Sequence, residues 1–372
     1  MRIQHLVGLG FGLVVLVSGS SCERERRKPP PAPPTASTPS RPAETAATVA
    51  PALDLVQVRA LFKPLPSRFD TPDNPVTPEK ISLGRMLYFD PRLSKAQDLA
   101  CESCHHLDRG GADAARFSTG HKGQLGGRNA PTVFNAAGQI AQFWDGRAPT
   151  VEEQAKGPVL NPVEMAMPDR DYVIEVLSSI PGYVDAFARA FPGEAQPITY
   201  DNFGRAIGAF ERGLVTPTRF DALLAGQDDA LAPAESAGLA LFVNTGCASC
   251  HNGPLVGGSM YMKLGVVQPY ENTKDQGRFD LTKNEAERMF FKVPVLRNVA
   301  NTAPYFHDGS IPDLPSAVRS MAKLQLGKQL SDAQVASIVT FLGTLTGAPP
   351  AYYIAKPVLP PSGPKTPKPD RT

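Results

Sequence analysis

Cys101-Glu102-Ser103-Cys104-His105 and Cys247-Ala248-Ser249-Cys250-His251 are the stretches of this 372-residue chain whose residue types and spacing could do covalent and metal chemistry together. A C-x-x-C-H run is the attachment signal of a c-type haem. The two thiols add across the porphyrin vinyl groups, and the adjacent histidine offers a neutral imidazole nitrogen to the iron. A zinc ribbon would bring its second C-x-x-C about 15–20 residues on, whereas Cys247 follows Cys104 by 143 positions. A redox dithiol would account for the cysteines but not for a histidine directly after both pairs. The spacing predicts two covalent haems.

One histidine leaves an axial position on each iron, and its occupant separates an electron carrier from a catalyst. After the second motif Met321 is a candidate thioether ligand; as one of eight methionines it reads first as a core residue. After the first motif the candidates are His106 and His121. His106 adjoins the proximal ligand and cannot swing to the opposite face. His121 lies in a loop with Gly110, Gly111, Gly120, Gly123, Gly126 and Gly127. Glycine permits large backbone changes, so a ligand carried there could be removed.

The elements that must position these groups are mostly helical. Thr77-Pro78-Glu79 opens one helix with proline in its first turn. Over Asp201–Leu214, residues Phe203, Ile207, Phe210 and Leu214 share a face at helical spacing. Ser331-Asp332-Ala333-Gln334 is a capping box followed by an apolar stripe of Val335, Ile338, Val339 and Leu342. No stretch shows sustained strand alternation. The chain also repeats itself. Gly84-x-x-Leu87-Tyr88 precedes the first motif as Gly238-x-x-Leu241-Phe242 precedes the second. Pro131, Asn135 and Phe143-Trp144-Asp145-Gly146 match Pro294, Asn298 and Phe306-His307-Asp308-Gly309 without a gap. The expected fold is mainly α: two cytochrome c-like helical domains with one covalent haem each, related by internal duplication and meeting near Thr216-Pro217.

Around this core the composition changes. Arg2 and the apolar run Leu6–Val17 read as a signal peptide, too short to span a bilayer comfortably. Ser18-Gly19-Ser20-Ser21 before Cys22 resembles a lipobox, although Gly19 stands where Leu or Val is usual. Four of the five cysteines serve the haem motifs, which leaves Cys22 to be explained by lipidation or as a spare thiol. Residues 23–51 are rich in Pro, Ala and Thr and read as a tether. The folded region divides into 52–215 and 216–355, and the Pro-rich tail 356–372 is expected to be extended. A net charge of +2 gives no pull toward nucleic acid. Export fits c-type haem, which is attached outside the cytoplasm.

The run RNAPTVFNAAGQIAQFWDGRAPTVEEQAKGPVLNPVEM, the segment PYFHDGSIPDL and the segment SMAKLQLG resemble bacterial di-haem cytochrome c peroxidase from about Leu53 to Ala355. The resemblance implies that the N-terminal haem reduces hydrogen peroxide and the C-terminal haem relays electrons. It makes His105 the proximal ligand of the peroxidatic haem and His121 the distal histidine that blocks it at rest. Gln154 and Glu164 become the pair in the peroxide pocket, and His251 and Met321 the axial pair of the second haem. Trp144 would lie between the haems, with His307 near the interface. Asn129, Thr302 and Pro304 would bind a calcium ion, an oxygen-only set that suits Ca²⁺.

Peroxide cleavage needs a group that takes a proton from one oxygen and returns it to the other. A carboxylate of suitable pKa does both, and Glu164 is that candidate; without the resemblance it and Gln154 would read as surface or helix-terminal residues. The implied partners are hydrogen peroxide and a small cytochrome c or copper-protein donor, with a homodimer often formed in the family. The expected location is the periplasm, anchored through Cys22. Two other readings stay open. A MauG-like enzyme would oxidise a partner protein, but that group has tyrosine where Met321 stands and lacks a counterpart of His121. A di-haem electron carrier would keep both irons permanently six-coordinate.

Overall fold

The computed structural model describes residues 53–372. The signal peptide, Cys22 and the tether over 23–51 lie outside the described residues. Among those described, no helix is long and apolar enough to cross a membrane. In chain order the helices are α1 (Leu55–Leu61), α2 (Pro78–Phe89), α3 (Val151–Leu160), α4 (Arg170–Ser178), α5 (Pro181–Ala190) and α6 (Tyr200–Glu211). There follow α7 (Arg219–Leu224), α8 (Pro233–Thr245), α9 (Arg278–Thr282), α10 (Leu314–Leu326), α11 (Asp332–Gly343) and α12 (Ala351–Ile354). The described strands are β1 (Tyr261–Lys263) and β2 (Phe290–Lys292), an antiparallel pair with Met262 opposite Phe291.

The helices start where the side chains can satisfy free backbone donors. Thr77 Oγ1 accepts from the Lys80 N–H ahead of Pro78, and Ser331 and Gln334 form the expected reciprocal box. The helix expected over Asp201–Leu214 ends at Glu211. Leu214 is buried all the same, one turn past that end, beside Phe210 in the core.

Two helical halves result. In the first, α2 to α6 bury Leu83, Leu87, Val173, Phe187, Phe203 and Ile207. In the second, α7, α8 and α11 bury Phe220, Leu239, Phe242, Ile338 and Phe341. The duplication extends to packing detail. A Cβ on Gly84 would run into the Ala206 carbonyl and the Phe210 side chain; one on Gly238 would meet the Ser337 carbonyl and the Phe341 side chain. So α2 seats on α6 as α8 seats on α11. The rings beside those notches repeat as well. Tyr88 and Phe210 stand 5.3 Å apart at 59°, and Phe242 and Phe341 stand 5.3 Å apart at 57°. Asn135 and Asn298 both take the left-handed conformation, at φ 59° and 63°. Fully buried Thr216 joins them: its hydroxyl accepts from Asn135 Nδ2 at 2.8 Å and donates to Asn298 Oδ1 at 2.7 Å.

The two ends of the described region cross over. Val58 of α1, with Phe62, belongs to the core of the second half, and Arg59 reaches the Leu223 carbonyl at 2.9 Å. Conversely, the tail runs over the first half. Arg92 donates to Ser362 Oγ at 3.0 Å, Gln97 to the Pro367 carbonyl at 2.9 Å, and the Ser179 hydroxyl meets Thr366 at 2.9 Å. The tail has no regular secondary structure, as its prolines dictate, yet it is docked on the body of the protein.

Candidate active site

The second C-x-x-C-H motif follows α8 after Gly246 alone and the first follows α2 after residues 90–100, and each forms one 3₁₀ turn, Cys101–Ser103 and Cys247–Ser249. All four thiols are unpaired. Burial lowers the pKa of both motif histidines, that of His251 to about 4, which keeps each imidazole neutral with a lone pair to donate. The Nδ1 atom of each is buried without a hydrogen-bond partner among the described residues. A cavity of about 240 Å³ opens beside the second motif, and Cys247, Cys250, His251 and Met321 all line it. Paired free thiols, a neutral imidazole with an unpartnered buried Nδ1, and an apolar-walled cavity beside them fit a covalently attached haem at the second motif. Met321, on α10, shares that cavity with His251 although 70 positions separate them.

On the first side the glycine-rich loop docks against the segment that carries Glu164. His121 is buried, and its N–H donates to the Val163 and Glu164 carbonyls at 3.1 and 2.8 Å. Gly120 is required here, because a Cβ would strike the Val163 carbonyl. Gly123 and Gly127, further along the loop, face open space. His106 is half-buried with its Nδ1 3.8 Å from the Glu102 carboxylate.

Glu164 is held by Asn161, whose Nδ2 donates to Oε1 at 2.8 Å. Burial pushes its carboxyl above the ordinary range; the Arg147 charge and the Asn161 bond pull it back. Burial raises the pKa of the Cys104 thiol, and the Asp113 and Glu164 charges add to it. Gln154, half-buried on α3, shares a helix face with Gly157 and Asn161 at i, i+3 and i+7. Gly157 abuts Phe143, and Phe143 carries the Arg147 guanidinium over its ring at 3.4 Å.

Between the halves, the Trp144 indole N–H donates to the Asn129 carbonyl at 2.9 Å, and the Asn129 N–H donates to the His307 carbonyl at 2.8 Å. Trp144 meets His307 edge to face at 6.3 Å, and His307 stacks on Phe291 at 4.2 Å. Trp144, Asn129, Thr302 and Pro304 line the same cavity as His251. Arg128 ties this ground together through Asp145 and Asp275 at 2.7 and 2.6 Å.

Sequence reading missed Asn161, Arg147, Lys292 and Glu211. Lys292 lines the cavity, with burial lowering its ammonium to about 8, and bonds the Gln139 amide. Glu211 is fully enclosed near Cys101 and Tyr88, its carboxyl pushed up to about 8 by burial. A signal for Glu211 was present: it follows Ile207 by four on the apolar face of its helix.

The chain matches the family model described as di-haem cytochrome c peroxidase over residues 78–229. It is 46% identical over 319 residues to cytochrome c551 peroxidase of Pseudomonas aeruginosa, covering 84% of this chain and 91% of that one. It is 47% identical over 302 residues to cytochrome c551 peroxidase of Nitrosomonas europaea, covering 80% and 89%. Among solved structures, a MauG-like protein associated with microbial copper homeostasis superposes with a TM-score of 0.69 at 27% identity, over 82% of this chain and 97% of that one. Two haem-attachment motifs on a duplicated helical frame and this degree of identity lead to one conclusion: the chain belongs to the di-haem cytochrome c peroxidase family.

Proposed function

We propose that the chain reduces hydrogen peroxide, H2O2 + 2 e⁻ + 2 H⁺ → 2 H2O, with electrons from a small cytochrome c or copper protein. They are received on the His251 and Met321 side and used on the His105 side. Cys101, Cys104 and His105 would hold a haem at the first motif, and its iron would supply the metal chemistry for O–O cleavage. Glu164 takes the proton from one peroxide oxygen at its carboxylate and returns it to the other, which leaves as water. Asn161 holds that carboxylate in place, and Gln154 hydrogen-bonds the peroxide without titrating. His121 closes the distal side at rest, and the loop beyond Gly123 moves to release it. Trp144, bonded to the Asn129 peptide, occupies the ground between the two sites. Asn129, Thr302 and Pro304 offer oxygens to one calcium ion at the same junction. The chain divides at 215/216 into two haem domains, with α1 of the first span packing in the second half; export through the N-terminal signal, a lipid anchor on Cys22 and a homodimer complete the reading.

The observation that carries this is the held, half-buried Glu164, placed by the same backbone segment that receives His121. The test is steady-state peroxide turnover with a reduced small cytochrome c, before and after reduction of one haem. Glu164→Gln is expected to lower kcat about 10²–10⁴-fold with haem content unchanged, and His121→Gly to be active without prior reduction. If no form turns over peroxide while both haems accept electrons, the chain is an electron carrier and the reading fails.

A further inference from the structure

The duplication supplies an internal comparison at the two axial histidines. Tyr88 and Phe242 occupy equivalent seats. Each lies in the helix ahead of its haem motif, four residues beyond the notch glycine, against an equivalent phenylalanine at the same spacing and nearly the same ring angle. The difference is one hydroxyl. Tyr88 is wholly buried, and its hydroxyl donates to the main-chain carbonyl of His105 at 2.6 Å. Phe242 has nothing to donate, and among the described residues no donor reaches the His251 carbonyl.

A buried hydroxyl without a partner is costly, so this tyrosine is confined to the geometry that satisfies it. The helix carrying it is also confined, because the Gly84 notch presses α2 onto the Ala206 carbonyl. The His105 peptide is thereby tied to a fixed element, whereas its ring nitrogen Nδ1 lacks a well-aligned partner of its own.

We propose that Tyr88 is a positioning residue for the first haem. Its hydroxyl fixes the main chain of the axial histidine, so that His105 keeps one orientation when the opposite face is vacated. The second site, read as holding its iron between His251 and Met321, has a ligand on each side and does without the bond. The proposal rests on the reading of His105 as an iron ligand.

The experiment uses the holoprotein and reads each haem separately, by EPR and visible spectra and by midpoint potential. Tyr88→Phe keeps the ring and removes only the hydroxyl. The expected result is a shifted and broadened first-haem signal and a moved first-haem potential, with the second haem unchanged. Phe242→Tyr is the reciprocal arm and is expected to alter the second haem alone, which tests the bond without touching the first site. A Tyr88→Phe protein with both haems loaded and a first-haem spectrum and potential equal to wild type overturns the proposal. A first-haem spectrum unmoved by His105→Gly overturns instead the ligand assignment on which it rests.

Discussion

Glu211 shows what a single buried group can do in this fold. Its helix face is apolar, and at the corresponding place of the second half the chain carries Leu342. Burial is the largest influence on its carboxyl, the Glu152 charge adds to it, and the neighbouring Arg212 opposes it only in part. The sign follows from linkage. An acid whose folded pKa is about 8 against an ordinary value near 4.3 binds more protons when folded, so its contribution to stability falls as pH rises through that window. Glu211→Gln should therefore gain on wild type between pH 5 and 9, by on the order of a few kcal/mol at the alkaline end. Denaturation of both proteins across that range measures it; a difference independent of pH would show that Glu211 is solvated.

At the scale of elements, the two glycine notches set how the halves are built. Gly84 and Gly238 let α2 and α8 lie directly on a carbonyl of the facing helix, where any side chain would force the pair apart. Gly84→Ala or Gly238→Ala should each destabilise the protein by about 1–3 kcal/mol, the cost of overpacking. The damage should be local. The first variant should disturb the spectrum of the N-terminal haem through Tyr88, and the second that of the C-terminal haem. Denaturant unfolding followed at each haem separates the two. Loss of neither signal ahead of the other would mean that the halves unfold as one.

The described region is bound together by its two ends. The first described helix completes the core of the second half, and the tail lies over α5 and the segment from Arg92 to Gln97 that leads into the first haem motif. Pro360 packs on Gly182 and Gly363 on the Ser179 carbonyl; the Lys95–Asp370 pair is partly exposed and adds little. A chain ending at Ala355 should keep both haems. It should melt a few degrees lower and exchange amide hydrogens faster over residues 92–99 than the full chain, since local stability follows local contact. Unchanged exchange there would reduce the tail to a passive cover.

Both C-x-x-C-H motifs were legible in the sequence because their cysteines and histidine stand within five consecutive residues. The helical class and the duplication were legible too, since periodicity, caps and repeated glycines are local signals. What lay beyond them depended on distance through space. Met321 shares a cavity with His251 only because α10 packs toward the second motif. Glu164 is half-buried and held only because the turn after α3 folds Asn161 back onto it. The crossing of the ends was invisible, because the short apolar helix at 55–61 and the proline-rich tail carry no mark of the surface each will cover. Local chemistry was written along the chain; which groups share a cavity, and how far burial moves their protons, was decided by packing.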